Sequence, residues 1–402
     1  MTGDIILSSS GENPKTRQQK QNRYRMIVLF ISIFLALVAW LYGYFSTGID
    51  VLPFVSELLP GAVQIDVNSR LYIGYGEDGS VVGYAAVGEA PGYAGPIEIL
   101  VGIDPDGKVI GAKLIQERES PGFFRLIEDA DLIGQITGKP MSSNFRLGED
   151  LDGVSGATLS AEGITSATRE AIRLTAREGL DTPLPPEKKS IKFGIPEITL
   201  LLLYVAGYVG HKMRNRGLKK KIRLGMLFIG MVVLGFIYTA PFTISMVITF
   251  LSGYWPDWQN NLYWYLLIGG ILFVTTVDAK NPYCSWFCPF GSFQELVSKI
   301  TNARIYKPRK WRGAFAWLQR GLAFTAVLMG LALRNPGAAG YEPFATLFDL
   351  RGTIVQWVFL LIIIFSSLVM YRPFCNYLCP LDPVVDFIGE CRRLIIEMRK
   401  KW

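Results

Sequence analysis

The chain has 402 residues and a formal net charge of +7; half of its residues are hydrophobic and 19% are charged. That is too apolar for an ordinary soluble protein and too charged for a bare helical bundle, so the composition points to membrane helices plus a soluble domain. A single histidine, His211, excludes a bis-His haem, a His-ligated zinc site and a Ser-His-Asp triad, and no Walker A pattern marks an ATPase.

Residues 1–25 read as a polar cytoplasmic tail. Residues 26–45 form an apolar run of about 20 residues, enough to span a bilayer, with no small-residue cleavage site before Asp50, so the run reads as an uncleaved anchor. Residues 46–190 read as an extracytoplasmic α+β domain and its linker. Strands at 71–75 and 81–87 flank Glu77-Asp78-Gly79, and strands at 97–103 and 109–115 flank Asp104-Pro105-Asp106-Gly107, two hairpin signals. From Ser160 to Glu178 the period turns helical, with Ile164, Ala167, Ala171, Ile172 and Thr175 on one stripe and Ser160 as the expected cap. Thr182-Pro183-Leu184-Pro185-Pro186 reads as a stiff linker.

Residues 191–372 are expected to hold five further spans, at 193–211, 222–244, 262–277, 314–333 and 353–371, and residues 373–402 form a cytoplasmic end segment. The expected fold is therefore an integral membrane, polytopic α-helical protein of about six transmembrane helices, with one inserted extracytoplasmic domain. The basic residues agree with this topology. They gather before the first span, in the second and fourth connections and at the end of the chain, while the third connection has none and the fifth only Arg334 and Arg351. By the positive-inside rule both termini are cytoplasmic in the cell membrane. The net charge thus faces the lipid bilayer's inner side and is not a nucleic-acid surface.

Asp152-Gly153-Val154-Ser155-Gly156-Ala157-Thr158 lies directly before the Ser160 helix. A helix start offers free N–H groups and a partial positive charge to a phosphate, and small residues let the chain come close. The same stretch also fits an ordinary glycine-rich turn. With Gly92-Tyr93-Ala94-Gly95-Pro96-Ile97 upstream, it resembles the FMN-binding domain shared by the flavin subunits of the Rnf and Nqr ion pumps and by NosR-type proteins. The resemblance implies FMN esterified through its phosphate to Thr158 by a flavin transferase, with Asp152 as a recognition element for that enzyme. It places Ser155, Gly156, Ala157, Tyr93, Gly95, Glu119 and Ser120 at the cofactor. The family's Glu-Thr-Pro-Gly is here Glu119-Ser120-Pro121-Gly122, followed by Phe123-Phe124.

Four of the five cysteines fall in two copies of one motif: Pro282-Tyr283-Cys284-Ser285-Trp286-Phe287-Cys288-Pro289 recurs as Pro373-Phe374-Cys375-Asn376-Tyr377-Leu378-Cys379-Pro380. The echo suggests two related helical hairpins. If a helix runs through each motif, both thiols share one face and the proline ends the helix. Three readings stand: Cys284, Cys288, Cys375 and Cys379 ligate a shared iron–sulfur cluster or other metal, act as redox-active thiols, or are buried structural residues. Cys391 reads as structural.

Across nearly the whole chain the pattern resembles the NosR/NirI family, and within it the short C-type accessory proteins encoded with reductive dehalogenases. This resemblance implies a membrane flavoprotein that passes electrons between the quinone pool (menaquinone) or an inner-side donor and an extracytoplasmic acceptor, such as a reductive dehalogenase or other respiratory reductase. It equally admits a redox-sensing regulator or maturation factor. Trp255, Trp258, Trp264, Tyr254 and Tyr263 fit an aromatic belt at the outer boundary, or a quinol pocket.

Overall fold

The computed structural model describes residues 14–46, 48–93, 95–119, 121–154, 157–185, 191, 193–278, 283–303, 312–350 and 352–399. After the long helix α1 (Pro14–Ser46) and the short α2 (Leu52–Leu58) come five strands: β1 (Gln64–Asn68), β2 (Leu71–Tyr75), β3 (Val81–Pro91), β4 (Pro96–Ile103) and β5 (Val109–Gln116). They form one antiparallel sheet in sequence order. Both Asp-Gly hairpins form as expected: Gly79 and Gly107 take φ of 76° and 80°, the left-handed turn conformation that a Cβ would strain.

Both faces of this sheet are covered. Helices α3 (Pro121–Asp129) and α4 (Thr158–Glu178) follow the strands. Ala86, Ala90, Ile99 and Val101 face Ala161, Ile164, Ala167 and Ala171 of α4, while Ala85, Val87 and Leu100 face Val55 and Leu59 around α2. The alternation follows from the two-residue period of a strand. The stripe expected from the sequence, Ile164 through Thr175, is the buried face of α4. The cap is different. The helix starts at Thr158 with Ala157 before it and no side-chain cap, because the Ser160 hydroxyl instead donates to the buried Glu119 carboxylate, 2.7 Å away.

The helical region comprises α5 (Ile195–Lys212), α6 (Arg216–Ile229), α7 (Ile244–Ser252), α8 (Leu262–Asp278), α9 (Pro289–Ile300), α10 (Arg312–Ala332), α11 (Phe344–Phe348), α12 (Ile354–Val369), α13 (Pro373–Tyr377) and α14 (Leu381–Arg399). Gly230–Ile237 continues α6 as a π-helix. Helix α1 packs along α10, α5 lies against α6 and α8, and α9 is held between α12 and the π segment. Among the described residues two helices, Arg23–Ser46 and Gly313–Ala332, are long and apolar enough to cross a membrane, and Leu262–Val277 and Ile354–Val369 are shorter apolar helices. Phe30, Phe34, Leu202, Phe228, Phe273, Val355 and Phe365 point outward and are exposed, which suits contact with lipid and not with water.

Candidate functional site

Three segments converge at the candidate FMN site. The β3–β4 turn closes through a hydrogen bond from Gly92 N to Gly95 O of 2.8 Å. It lies on the first turns of α4, where a Cβ built at Gly163 would stand 2.9 Å from Pro91 O. Glu119, 2% exposed, wedges its carboxylate between this turn and Ser160. Tyr93, Gly95 and Glu119 thus lie together, and Ala157 precedes the first residue of α4. Burial raises the Tyr93 phenol above its ordinary range, helped by the negative charges of Asp349, Glu342 and Glu119. Asp152 lies apart on an exposed loop, its N–H bonded to Gln135 Oε1 at 2.9 Å. Ser155, Gly156 and Ser120 lie outside the described residues, and Thr158 supplies the first residue of α4. An uncapped helix start beside glycines and a buried carboxylate–hydroxyl pair fits a phosphate-bearing flavin.

Sequence reasoning missed the segment that joins this site to the cysteines. A Cβ built at Gly337 would stand 2.6 Å from the carbonyl oxygens of both Arg118 and Glu119, so only glycine permits the contact. Gly95 abuts Pro336, and the Arg118 guanidinium lies 4.9 Å from the centre of the Tyr254 ring. Four residues on, Tyr341 donates its hydroxyl to Leu378 O in the second cysteine motif at 2.7 Å. Glu342 Oε1 accepts from Ile244 N at 2.7 Å. The Cα atoms of Gly337 and Tyr341 are at most about 15 Å apart along the chain, half of the roughly 30 Å hydrocarbon core that a simple outside–inside reading puts between flavin and cysteines. The fifth connection looked like a plain outer loop; its Gly-Tyr-Glu-Pro at 340–343 was the signal available.

The two cysteine motifs fold alike but not as continuous helices. In the first, Tyr283–Phe287 is a π turn and Cys288 precedes α9; in the second, α13 ends before Cys379. Cys288 N donates to Tyr283 O at 2.8 Å, and Cys379 N donates to Phe374 O at 2.9 Å, the same five-residue closure at matching positions of the echo. Nor does the first proline end a helix: Pro289 starts α9, where a missing N–H costs nothing. Phe290 stacks near Phe344 and Phe374, with centroids 4.9 and 5.2 Å away, linking both motifs to the 336–344 segment.

Cys288 and Cys379 are buried and Cys284 and Cys375 half-buried, and none forms a disulfide. Cys379 senses the charges of Cys375, Cys284 and Cys288, which puts the four sulfurs in one neighbourhood. Among the described residues no three such side chains close into a metal cage. Burial pushes Cys375 up to about 12 and raises Cys288 and Cys379 as well. Four thiols from two matched motifs, backed by buried donors, fit an iron–sulfur cluster. Cys391 is half-buried on α14.

The aromatic set divides. Tyr254 engages Arg118 and Arg334, Tyr263 donates to Ala240 O at 2.8 Å, and Trp264 packs near Phe250, whereas Trp255 and Trp258 are exposed.

Comparison with known proteins agrees with this geometry. Residues 92–173 match the FMN-binding domain, and residues 260–308 and 354–399 match a 4Fe-4S binding domain. The chain is 29% identical over 224 residues to the regulatory protein NosR of Stutzerimonas stutzeri, covering 51% of this chain and 30% of that protein. It is 29% identical over 190 residues to the protein NirI of Paracoccus denitrificans, covering 42% and 27%. It is 33% identical over 112 residues to one component of the ion-translocating oxidoreductase complex of Methanosarcina acetivorans, covering 27% and 60%. Among solved structures, Shewanella oneidensis NqrC aligns with a TM-score of 0.23 at 17% identity, over 31% of this chain and 70% of that one. The chain spans less than a third of the length of the NosR and NirI relatives it matches.

The matches define a flavoprotein with an FMN-binding domain and an iron–sulfur domain. Over about half of its length the chain is similar to the NosR proteins, and over a slightly shorter stretch to NirI.

Proposed function

We propose that this chain carries electrons across the cell membrane, with FMN held as a phosphoester on Thr158 and an iron–sulfur cluster held by Cys284, Cys288, Cys375 and Cys379. Bound, FMN supplies one- and two-electron chemistry and the cluster one-electron chemistry. Its partners are a flavin transferase, the quinone pool or an inner-side donor, and an extracytoplasmic acceptor such as a reductive dehalogenase. The spans are α1, α5, α6 with its π continuation, α8, α10 and α12. Both termini are cytoplasmic, and residues 46–190 lie outside.

The observation that carries this reading is the segment 336–344, which touches Arg118 and Glu119 at one end and the carbonyl of Leu378 at the other. Irregular backbone at membrane depth is tolerated where protein buries it, and Phe344 is 2% exposed. In the FMN domain, Glu119 and Ser160 fix the β3–β4 turn on α4, and the open N–H groups at the start of α4 would hold the phosphate. In the helical region, Gln319 donates to Cys375 O and Cys379 O at 3.2 and 2.9 Å and holds the second motif in shape.

The test is intact-mass spectrometry of protein co-expressed with a flavin transferase, alongside iron and sulfide analysis. The wild type is expected to carry one FMN-phosphoryl adduct plus iron and sulfide, and Thr158→Val no adduct. An adduct that persists in Thr158→Val overturns the attachment. A redox-sensing regulator is the second reading, favoured by the regulatory names of the NosR relatives. Repeated re-reduction with the terminal acceptor present distinguishes a carrier from a sensor, which responds only once.

A further inference from the structure

Arg372 stands where the two cysteine motifs meet. It directly precedes Pro373 of the second motif, yet its Nη1 donates to Cys284 O of the first motif at 3.2 Å and its Nη2 to Glu295 Oε2 at 2.5 Å. Glu295 also accepts both Nη groups of Arg223 at 2.8 Å each, Lys299 Nζ at 3.0 Å and the Tyr371 hydroxyl at 2.7 Å. Burial works to raise Glu295, but Arg223, Arg372, Tyr371 and Lys299 overcome it and hold the carboxyl far below its ordinary range. The bracing also runs the other way: Gln294, the neighbour of Glu295 on α9, donates to Cys375 Sγ at 3.5 Å and accepts from Phe374 N at 3.1 Å.

Two features of Arg372 exceed what a structural ion pair needs. Its backbone sits at φ 48° and ψ 59°, a left-handed conformation that residues other than glycine, asparagine and aspartate rarely adopt. The residue is 8% exposed, and its Nε–H is buried without a hydrogen-bond partner. A Cβ built at Gly291 would lie 3.4 Å from Arg372 Nη1 and 3.6 Å from Cys375 Sγ, so guanidinium and thiol flank one glycine. The surrounding charge is also unbalanced. Three cations, Arg223, Lys299 and Arg372, meet one carboxylate, Glu295, which leaves an excess of two positive charges. Arg223 and Lys299 are partly exposed, whereas Arg372 and Glu295 are buried, and Arg372 is the member of that pair that reaches the first cysteine motif.

We infer that Arg372 is the positioning residue of the iron–sulfur site: it ties the first cysteine motif to the second and places a buried positive charge beside the sulfurs, so raising the reduction potential of the group they hold. This rests on the assignment of the cluster to the four cysteines. Reduction adds one electron and no proton, making the cluster more negative by one charge, and a fixed cation favours that product.

The test is a redox titration of the full-length, FMN-loaded protein in detergent, followed by electron paramagnetic resonance, with iron and sulfide measured on the same samples. Arg372→Gln is expected to shift the oxidised-to-reduced ratio at fixed poise by about tenfold towards the oxidised form, about 59 mV for a one-electron couple. Arg372→Lys, which keeps the charge, shifts it less, and Arg223→Gln, at a half-exposed position, least. Wild-type potential and iron content in Arg372→Gln overturn the proposal. Should Arg372→Gln hold no iron, Glu295→Gln decides: with the Arg372 charge left uncompensated the potential is expected to rise above wild type, and a potential that does not rise overturns the proposal equally. A wild type without iron or sulfide instead refutes the cluster assignment, a different failure.

Discussion

In the FMN-binding domain each site residue rides on an element whose own sequence pattern announces it, whereas around the cysteines the residues that shape the site arrive from helices far away in the chain. The β3–β4 turn, Glu119 and the start of α4 lie within residues 91–163 and are held by one sheet and one helix. The cysteine site draws Arg223 from α6, Gln294 and Glu295 from α9, Gln319 from α10 and Arg372 from the turn after α12. Locally built sites are robust to change elsewhere; a site assembled from distant helices depends on each of their contacts.

The strongest way to break this contrast is to empty one site and look at the other. Thr158→Val is expected to abolish the flavin adduct completely while iron and sulfide stay at wild-type levels. Cys379→Ser, at a residue that is 6% exposed, is expected to lose most of the iron and sulfide while mass spectrometry still finds the adduct. Loss of both cofactors in either variant would show the two regions to be one cooperative unit. The contrast is sharpened where Gly337 rests on Arg118 and Glu119. Gly337→Val would push a side chain into two carbonyl oxygens, weakening the contact by about 1–3 kcal/mol, the usual range for overpacking. Both cofactors should load, and stopped-flow spectroscopy should show slower electron exchange between them.

Much of the FMN domain was legible because its signals are local. Asp78-Gly79 and Asp106-Gly107 could only be turns between such strands, and the stripe from Ile164 to Thr175 could only be a helix face. The errors there were tertiary: Ser160 has a cap's chemistry, but the buried Glu119 carboxylate, 41 residues earlier, claims its hydroxyl. Around the cysteines the spacing correctly paired the motifs but suggested continuous helices. The five-residue closures at Cys288 and Cys379 replaced them, since each chain must turn there to start the next helix.

The amino-acid sequence alone determined the Asp-Gly hairpins, the twofold cysteine motif and the apolar segments, because hairpin, helix and bilayer requirements act over a few to about 20 residues. Only the tertiary structure decided that Gly337 would rest on Glu119 while Tyr341 reaches the second motif, and that Arg372 would answer to Glu295 and Cys284. A buried charge or carbonyl must find its partner wherever packing brings one within about 3 Å, and that neighbour carries no mark in the linear order.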